Sequence, residues 1–102
     1  MTIKSLKLSI IVPVRNEENS LLELCEEFKN LFFKNYNEFE IIFINDNSSD
    51  NTKNIINKFI NETNFIKIHN LEKHSGQSEC IDFGIKNSKY DLIATIDGDG
   101  QN

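Results

Sequence analysis

Leu92-Ile93-Ala94-Thr95-Ile96 runs directly into Asp97-Gly98-Asp99-Gly100-Gln101-Asn102 at the end of the sequence. The first five residues are apolar or β-branched over the length of a strand and do not alternate with polar ones, which predicts a strand buried on both faces of a parallel sheet. Such a strand carries two carboxylates, Asp97 and Asp99, spaced i, i+2, to its carboxyl tip among glycines. Oxygen donors from Asp97, Asp99 and the Gln101 amide suit Mg2+ or Mn2+, with coordination positions left for water and phosphate oxygens. A plain solvated turn has the same composition. A calcium loop of the EF-hand type also opens D-x-D, but it needs glycine at its sixth position and a helix before it; here Asn102 is sixth and a strand precedes.

Upstream, the chain repeats the strand-then-polar-tip arrangement. Leu8-Ser9-Ile10-Ile11-Val12 reads as a strand stopped by Pro13, the only proline, and followed by the polar loop Arg15-Asn16-Glu17-Glu18. Leu21, Cys25, Phe28 and Phe32, with Leu24 and Leu31 beside them, form the stripe of an amphipathic helix that Asn35-Tyr36-Asn37 breaks. Ile41-Ile42-Phe43-Ile44 is a second buried strand, ending in Asn45-Asp46-Asn47-Ser48-Ser49-Asp50, and Asp50 is placed to cap a helix with Ile55, Ile56, Phe59 and Ile60 on one face. Phe65-Ile66-Lys67-Ile68-His69 alternates apolar with polar, the pattern of a half-covered edge strand. Lys73-His74-Ser75-Gly76-Gln77-Ser78 then leads into a helix expected to turn Cys80, Ile81, Gly84 and Ile85 toward the sheet. Glycine inside a helix costs about 1 kcal/mol relative to alanine, so Gly84 predicts a close helix-to-sheet approach.

The resulting order β-α-β-α-β-α-β, with right-handed crossovers, predicts an α/β fold: a doubly wound parallel sheet in strand order 3-2-1-4. The alternating strand then lies at one edge. The fourth strand keeps one side unpaired, a hazard that a finished domain covers, so residues 1–102 are expected to be the front part of a longer domain.

The 102 residues carry a net charge of -5 and no cluster of Lys or Arg, which argues against a nucleic-acid partner. An acidic protein that handles a phosphorylated ligand needs a cation against like-charge repulsion. The N-terminal apolar run is too short for a signal segment and no stretch reaches membrane-spanning length, so cytoplasmic exposure is the default expectation. Cys25 and Cys80 lack metal-ligand spacing and read as reduced, buried thiols.

In open parallel sheets ligands bind beyond the carboxyl ends of the strands where the winding reverses, here between the first and fourth strands. Pro13, Arg15 and Glu17, Asp46, the Lys73 to Gln77 loop, and Asp97 with Asp99 gather there. A nucleotide fits this rim, with Asp46 accepting a base N–H, Glu17 accepting ribose hydroxyls and a metal at Asp99 offsetting a diphosphate. Neither G-x-G-x-x-G nor a Walker A pattern occurs, so a metal rather than a glycine cradle would carry the phosphates.

Four stretches, SIIVPVRNEE, IIFINDNSSDNT, HSGQSECIDFGI and ATIDGDGQN, together resemble the N-terminal, nucleotide-sugar-binding half of a family 2 glycosyltransferase of the GT-A fold. The glutamine after D-x-D is similar to the branch of dolichyl-phosphate mannose synthases and bacterial undecaprenyl-phosphate sugar transferases. The resemblance implies that Pro13, Arg15 and Glu17 line a nucleoside pocket, with Ile44 and Asp46 around the base. It implies Asp97 and Gly98 near ribose and phosphate, and a Mg2+ or Mn2+ ion on Asp97, Asp99 and Gln101. Arg15 stands where many relatives carry an aromatic, and Asn45-Asp46-Asn47 replaces the commoner Asp-Asp-Gly, so uridine and guanosine both stay open.

The implied chemistry is inverting transfer of a sugar from a UDP- or GDP-linked donor, with Asp97 and Asp99 at the reacting diphosphate. The implied acceptor is a polyprenyl phosphate, reached at the cytoplasmic face of a membrane through parts beyond residue 102, or alternatively a saccharide. A non-catalytic nucleotide-binding or interaction module is a rival of another class. A phospho-receiver domain is a weaker one, because it needs its acids after the first strand, where Pro13-Val14-Arg15 stand.

Overall fold

The computed structural model describes residues 7–34 and 38–97, and in the first helix the side chains as far as Asn30. The elements are β1 (Lys7–Val14), α1 (Glu18–Lys34), β2 (Glu38–Asn45), α2 (Thr52–Glu62), β3 (Ile66–Asn70), α3 (Gln77–Lys86) and β4 (Leu92–Thr95). The strands form one parallel sheet in the order β3-β2-β1-β4, as the sequence predicts. The helix break expected at Asn35-Tyr36-Asn37 lies outside the described residues, as do the side chains of Leu31 and Phe32.

Successive strand residues alternate faces, and the two faces carry separate cores. Ile10, Val12, Val14, Ile41, Phe43 and Ile66 pack against Leu21, Cys25 and Phe28 of α1 and Ile56 and Phe59 of α2. Ile11, Ile42 and Ile44 face the other way, onto Cys80 of α3, with Leu71, Phe83 and Ile93 around them. α3 approaches so closely that a Cβ built on Gly84 would lie 2.6 Å from Ile11 Cγ2, which accounts for the glycine.

β1 runs through Pro13, which pairs in register with Ile44, so the proline does not end the strand. What it ends is the ladder to β4. Ile11 turns its carbonyl toward β4 and accepts the Ile96 N–H at 3.0 Å; the next rung of a parallel ladder would need an N–H at residue 13. The carboxyl tips of β1 and β4 are therefore not tied together, and a cleft opens there.

Other expectations are corrected. β4 is not buried on both faces: Leu92 is 49 % exposed and Thr95 is exposed, because among the described residues the strand pairs only with β1, at the edge where the predicted order places it. On α3 the sheet-facing stripe is Cys80, Phe83 and Gly84, while Ile85 is 45 % exposed; the helix is rotated toward Phe83, whose ring meets His69 edge-on at 5.2 Å. Asp50 lies one residue ahead of the α2 cap position, Asn51, and its two oxygens accept the N–H of Thr52 at 2.9 Å and of Glu18 at 3.3 Å, joining α2 to the start of α1. β3 is the half-covered edge strand predicted, with Ile66 buried and Lys67 exposed. Among the described residues no helix is long and apolar enough to cross a membrane.

Candidate functional site

A cavity of about 300 Å³ opens at the carboxyl ends of the strands, at the switch point between β1 and β4. The end of β1 and the loop after it contribute Pro13, Val14, Arg15 and Glu17. The tip of β2 contributes Asp46, the start of α3 and the loop before it contribute His74, Gln77 and Cys80, and the tip of β4 contributes Asp97. Five of the sequence-derived candidates, Pro13, Arg15, Glu17, Asp46 and Asp97, are thus brought together. Ile44 is not: its side chain is fully buried beside Ile11 and Ile42, backing the cavity from inside the core. Gly98, Asp99 and Gln101 lie outside the described residues.

Two of the loops are laced to each other. Asn16 and Asn47 both adopt left-handed backbone, with φ of 54° and 58°, a region asparagine tolerates better than most residues. The Asn16 side-chain oxygen accepts the Ser49 N–H at 2.8 Å, and the Asn16 N–H donates to Ser48 Oγ at 3.0 Å. The Glu17 N–H donates to Thr52 Oγ1 at 2.9 Å. Glu17 is thereby set at the start of α1, where its carbonyl accepts the Leu21 N–H.

Asp46 anchors the third loop. Its Oδ1 accepts the Ser75 N–H at 2.7 Å, and its Oδ2 accepts the Gly76 N–H at 2.9 Å and lies 2.7 Å from His74 Nδ1. Gly76 takes a φ of 92°, a conformation that glycine alone adopts freely. A carboxylate offers about four acceptor sites, and on Asp46 the fourth faces the Cys80 thiol, a weak donor that a ligand N–H can displace. Burial pushes the Asp46 carboxyl up, but the Ser75 and Gly76 amides and the His74 ring outweigh it and hold the group below its ordinary value of 3.8. Burial raises the neighbouring Cys80 thiol to about 11 and Cys25 to about 12, so both remain thiols, as the free cysteines expected from sequence.

An acid-sensitivity prediction follows from Asp46. Because its folded-state value is depressed, the stability it contributes is fully present above about pH 3.8 and is lost as pH falls through the lower folded value. Amide exchange at Ser75 and Gly76, read by NMR, should therefore accelerate only below that pH relative to amides in β2. Acceleration already near neutrality would show that Asp46 does not hold the loop.

At the mouth of the cavity Asp97 is exposed, and its Oδ1 accepts a hydrogen bond from Gln77 Nε2 at 3.2 Å. Gln77 and Cys80 are spaced i, i+3 and so share the cavity face of α3. For a hard cation the donor chemistry is suitable, since Asp97 is an exposed oxygen donor. Among the described residues, however, no group of three His, Cys, Asp or Glu side chains is placed to hold a metal. His74 and Gln77 reach the cavity with the Lys73 to Gln77 loop, as the topology predicts, whereas Cys80 is a cavity residue that its sequence context marks only as a buried thiol. The local signal for Cys80 was its position one turn into the helix that follows the third strand.

The sequence profile described as Glycosyl transferase family 2 matches residues 9–102. The chain belongs to that family. Curated relatives of this family 2 chain include the dodecaprenyl-phosphate galacturonate synthase of Rhizobium johnstonii, 34 % identical over 98 % of this chain and 30 % of the relative. The undecaprenyl-phosphate 4-deoxy-4-formamido-L-arabinose transferase of Proteus mirabilis is 35 % identical over 94 % of this chain and 30 % of its own length. Among solved structures, TarS 1-349 from S. aureus in complex with UDP-GlcNAc superposes with a TM-score of 0.78 at 29 % identity, covering 92 % of this chain and 27 % of that one. The family 2 chain has the GT-A fold in its parallel-sheet part and spans about 30 % of the length of these curated relatives.

Proposed function

We propose that the cavity is the donor site of a glycosyltransferase that moves a sugar from a UDP- or GDP-linked donor, with inversion, to an acceptor that is a polyprenyl phosphate. The observation that carries this reading is the convergence of Asp46, Asp97, Arg15 and Glu17 on one cavity at the switch point of the sheet. The solved complex of a 29 % identical relative with UDP-GlcNAc supports the donor class, and the polyprenyl phosphates in the curated relatives' names support the acceptor. Residues 1–102 then form the nucleotide-sugar-binding part of a larger domain.

In this reading Asp46 accepts a base N–H in place of the Cys80 thiol, Pro13 walls the nucleoside, and Glu17 accepts from the ribose hydroxyls. Arg15 supplies a fixed positive charge to the cavity wall. Asp97, with Gly98 beside it, faces the ribose and phosphate, and Asp97, Asp99 and Gln101 would hold Mg2+ or Mn2+. When bound, such a cation acts as a Lewis acid for the departing diphosphate. Inversion follows from a single displacement at the anomeric carbon: the acceptor oxygen attacks as the bond to the diphosphate oxygen breaks. A polyprenyl phosphate oxygen is already anionic and needs no strong base, whereas a saccharide hydroxyl would need a carboxylate. A lipid-borne acceptor would bring the site to the cytoplasmic face of a membrane.

Calorimetric titration with UDP and with GDP, with and without Mg2+, tests the reading. Binding should strengthen about tenfold with the metal, and the gain should vanish in Asp97→Ala and Asp99→Ala. Equal affinity with and without metal in the unaltered protein would remove the metal assignment. No nucleotide binding at all would remove the donor site.

A further inference from the structure

His74 has geometry that the donor-site reading leaves unused. Its Nδ1 lies 2.7 Å from Asp46 Oδ2, and its side chain is 55 % exposed while forming part of the cavity wall. An ionised carboxylate can only accept, so Nδ1 carries a proton in both charge states of the ring. The neutral ring is therefore held in one tautomer, with the lone pair on Nε2. No described residue partners Nε2. With the fourth acceptor site of Asp46 held only by the weakly donating Cys80 thiol, the Asp46–His74 pair offers a ligand two adjacent positions. One always accepts; the other accepts when the ring is neutral and donates when it is a cation.

Nucleobases differ on the edge that would meet this pair. Uracil shows a ring N–H flanked by two carbonyls. Guanine shows a ring N–H with a carbonyl on one side and an amino group on the other. We propose that His74 reads the base of the donor: with Asp46 accepting the ring N–H, the imidazolium donates to a flanking carbonyl, and the neutral ring accepts from the amino group that guanine alone provides. The charge on His74 then sets the preference between uridine and guanosine diphosphates. This rests on the donor-site reading above and adds to it the residue that selects the nucleotide.

The titratable or charged groups that share the cavity with His74 are Asp46 from β2, Arg15 and Glu17 from the loop after β1, Cys80 from α3 and Asp97 from β4. Lys73 is adjacent in sequence. Asp46 stays ionised and Cys80 stays a thiol across the range in which an imidazole changes charge, since one is held low and the other is raised to about 11. Replacing His74 leaves all the others in place and isolates its contribution.

The experiment measures dissociation constants of UDP and GDP between about pH 5 and about pH 8 for the unaltered protein and for His74→Gln. Taking the ratio of the two cancels the titration of the terminal phosphate that both carry. The preference for UDP over GDP should fall about tenfold as pH rises, the size expected for one hydrogen bond to a charged group. In His74→Gln the ratio should be flat, because an amide has no charge to lose. A flat ratio in the unaltered protein, or an equal slope in His74→Gln, overturns the assignment of His74 while leaving the donor site standing. Failure to bind either nucleotide overturns the donor site itself. Nitrogen NMR of the His74 ring in the unaltered protein is independent of any variant: it should report the neutral ring protonated at Nδ1, and protonation at Nε2 instead would overturn the geometry.

Discussion

Glu40→Ala is expected to destabilise the fold by about 3 kcal/mol, the largest loss from any single polar side chain in the sheet. Glu40 is buried, 3 % exposed, on the α3 face of β2 and opposite Ser9 of β1 in the sheet register. Its Oε2 accepts the Ser9 hydroxyl at 2.6 Å and the backbone N–H of Lys89, and its Oε1 lies 2.8 Å from Lys67 Nζ on β3. Ser9 Oγ in turn accepts the Tyr90 N–H at 3.1 Å. One carboxylate therefore holds β1, β3 and the turn that leads from α3 into β4. Burial pushes the Glu40 carboxyl up, but Lys67, Ser9 and the Lys89 amide outweigh it and leave it below its ordinary value of 4.5, so it is ionised at neutral pH.

Removing the Glu40 carboxylate strands the Ser9 hydroxyl and the Lys89 N–H, each costing about 1–3 kcal/mol if left without a partner. Lys67 contributes less, because it is half-exposed and water can replace the carboxylate. Glu40→Gln keeps one acceptor oxygen and should lose roughly half as much. Thermal unfolding should show a fall of about ten degrees or more for Glu40→Ala and a smaller one for Glu40→Gln. If Glu40→Ala melted within a couple of degrees of the unaltered protein, the carboxylate would not be the tie described.

The second large effect is expected at Gly84, where an added methyl group meets Ile11. The nearest atoms would be Ile11 Cγ2 at 2.6 Å, Cγ1 at 3.0 Å and Cδ1 at 3.1 Å, and Ile11 is fully buried between the strands on either side. Cγ2 sits on the branch point and cannot swing clear without moving β1. Overpacking of this kind costs about 1–3 kcal/mol, against which alanine recovers about 1 kcal/mol of helix propensity. The net effect of Gly84→Ala should be a loss of up to about 2 kcal/mol, seen as a shift of the urea midpoint with an unchanged slope. Ile11→Ala alone leaves a cavity and costs about 2–5 kcal/mol. Combining the two should cost less than the sum, because the Gly84→Ala methyl enters the space that Ile11 vacates. Strict additivity would mean that α3 and β1 do not touch there.

Much of the fold was legible because of contrast between strands. Ile10-Ile11-Val12 and Ile41 to Ile44 are apolar without interruption and lie in the middle of the sheet, while Ile66-Lys67-Ile68-His69 alternates and lies at its edge. For β4 the strand order correctly left one side unpaired, but the apolar run Leu92 to Thr95 misled as to burial, since Leu92 and Thr95 are exposed. Periodicity alone could not tell that α3 would lean on Phe83 rather than Ile85, because both flank the Cys80–Gly84 stripe and His69 across the sheet decides between them. Pro13 was legible as an interruption, but which ladder it interrupts depends on the direction its nitrogen faces.

At the site, the gathering of Arg15, Glu17, Asp46 and Asp97 followed from topology, since loops at a switch point must meet. The loop carrying His74 was placed at the rim in the same way, but the contact of His74 with Asp46 was not legible. That contact crosses 28 positions of sequence and depends on a backbone turn at Gly76 that no side-chain pattern announces.

The lacing of residues 16–18 to residues 48–52 has a consequence for how such sites diversify. Asn16 with Ser48 and Ser49, Glu17 with Thr52, and Glu18 with Asp50 place every one of these bonds between segments more than 30 positions apart in the chain. Transplanting one segment from a relative leaves its complement facing strangers, and Arg15 loses its footing although nothing beside it has changed. Keeping these bonds in an exchange with a relative requires moving the two segments together.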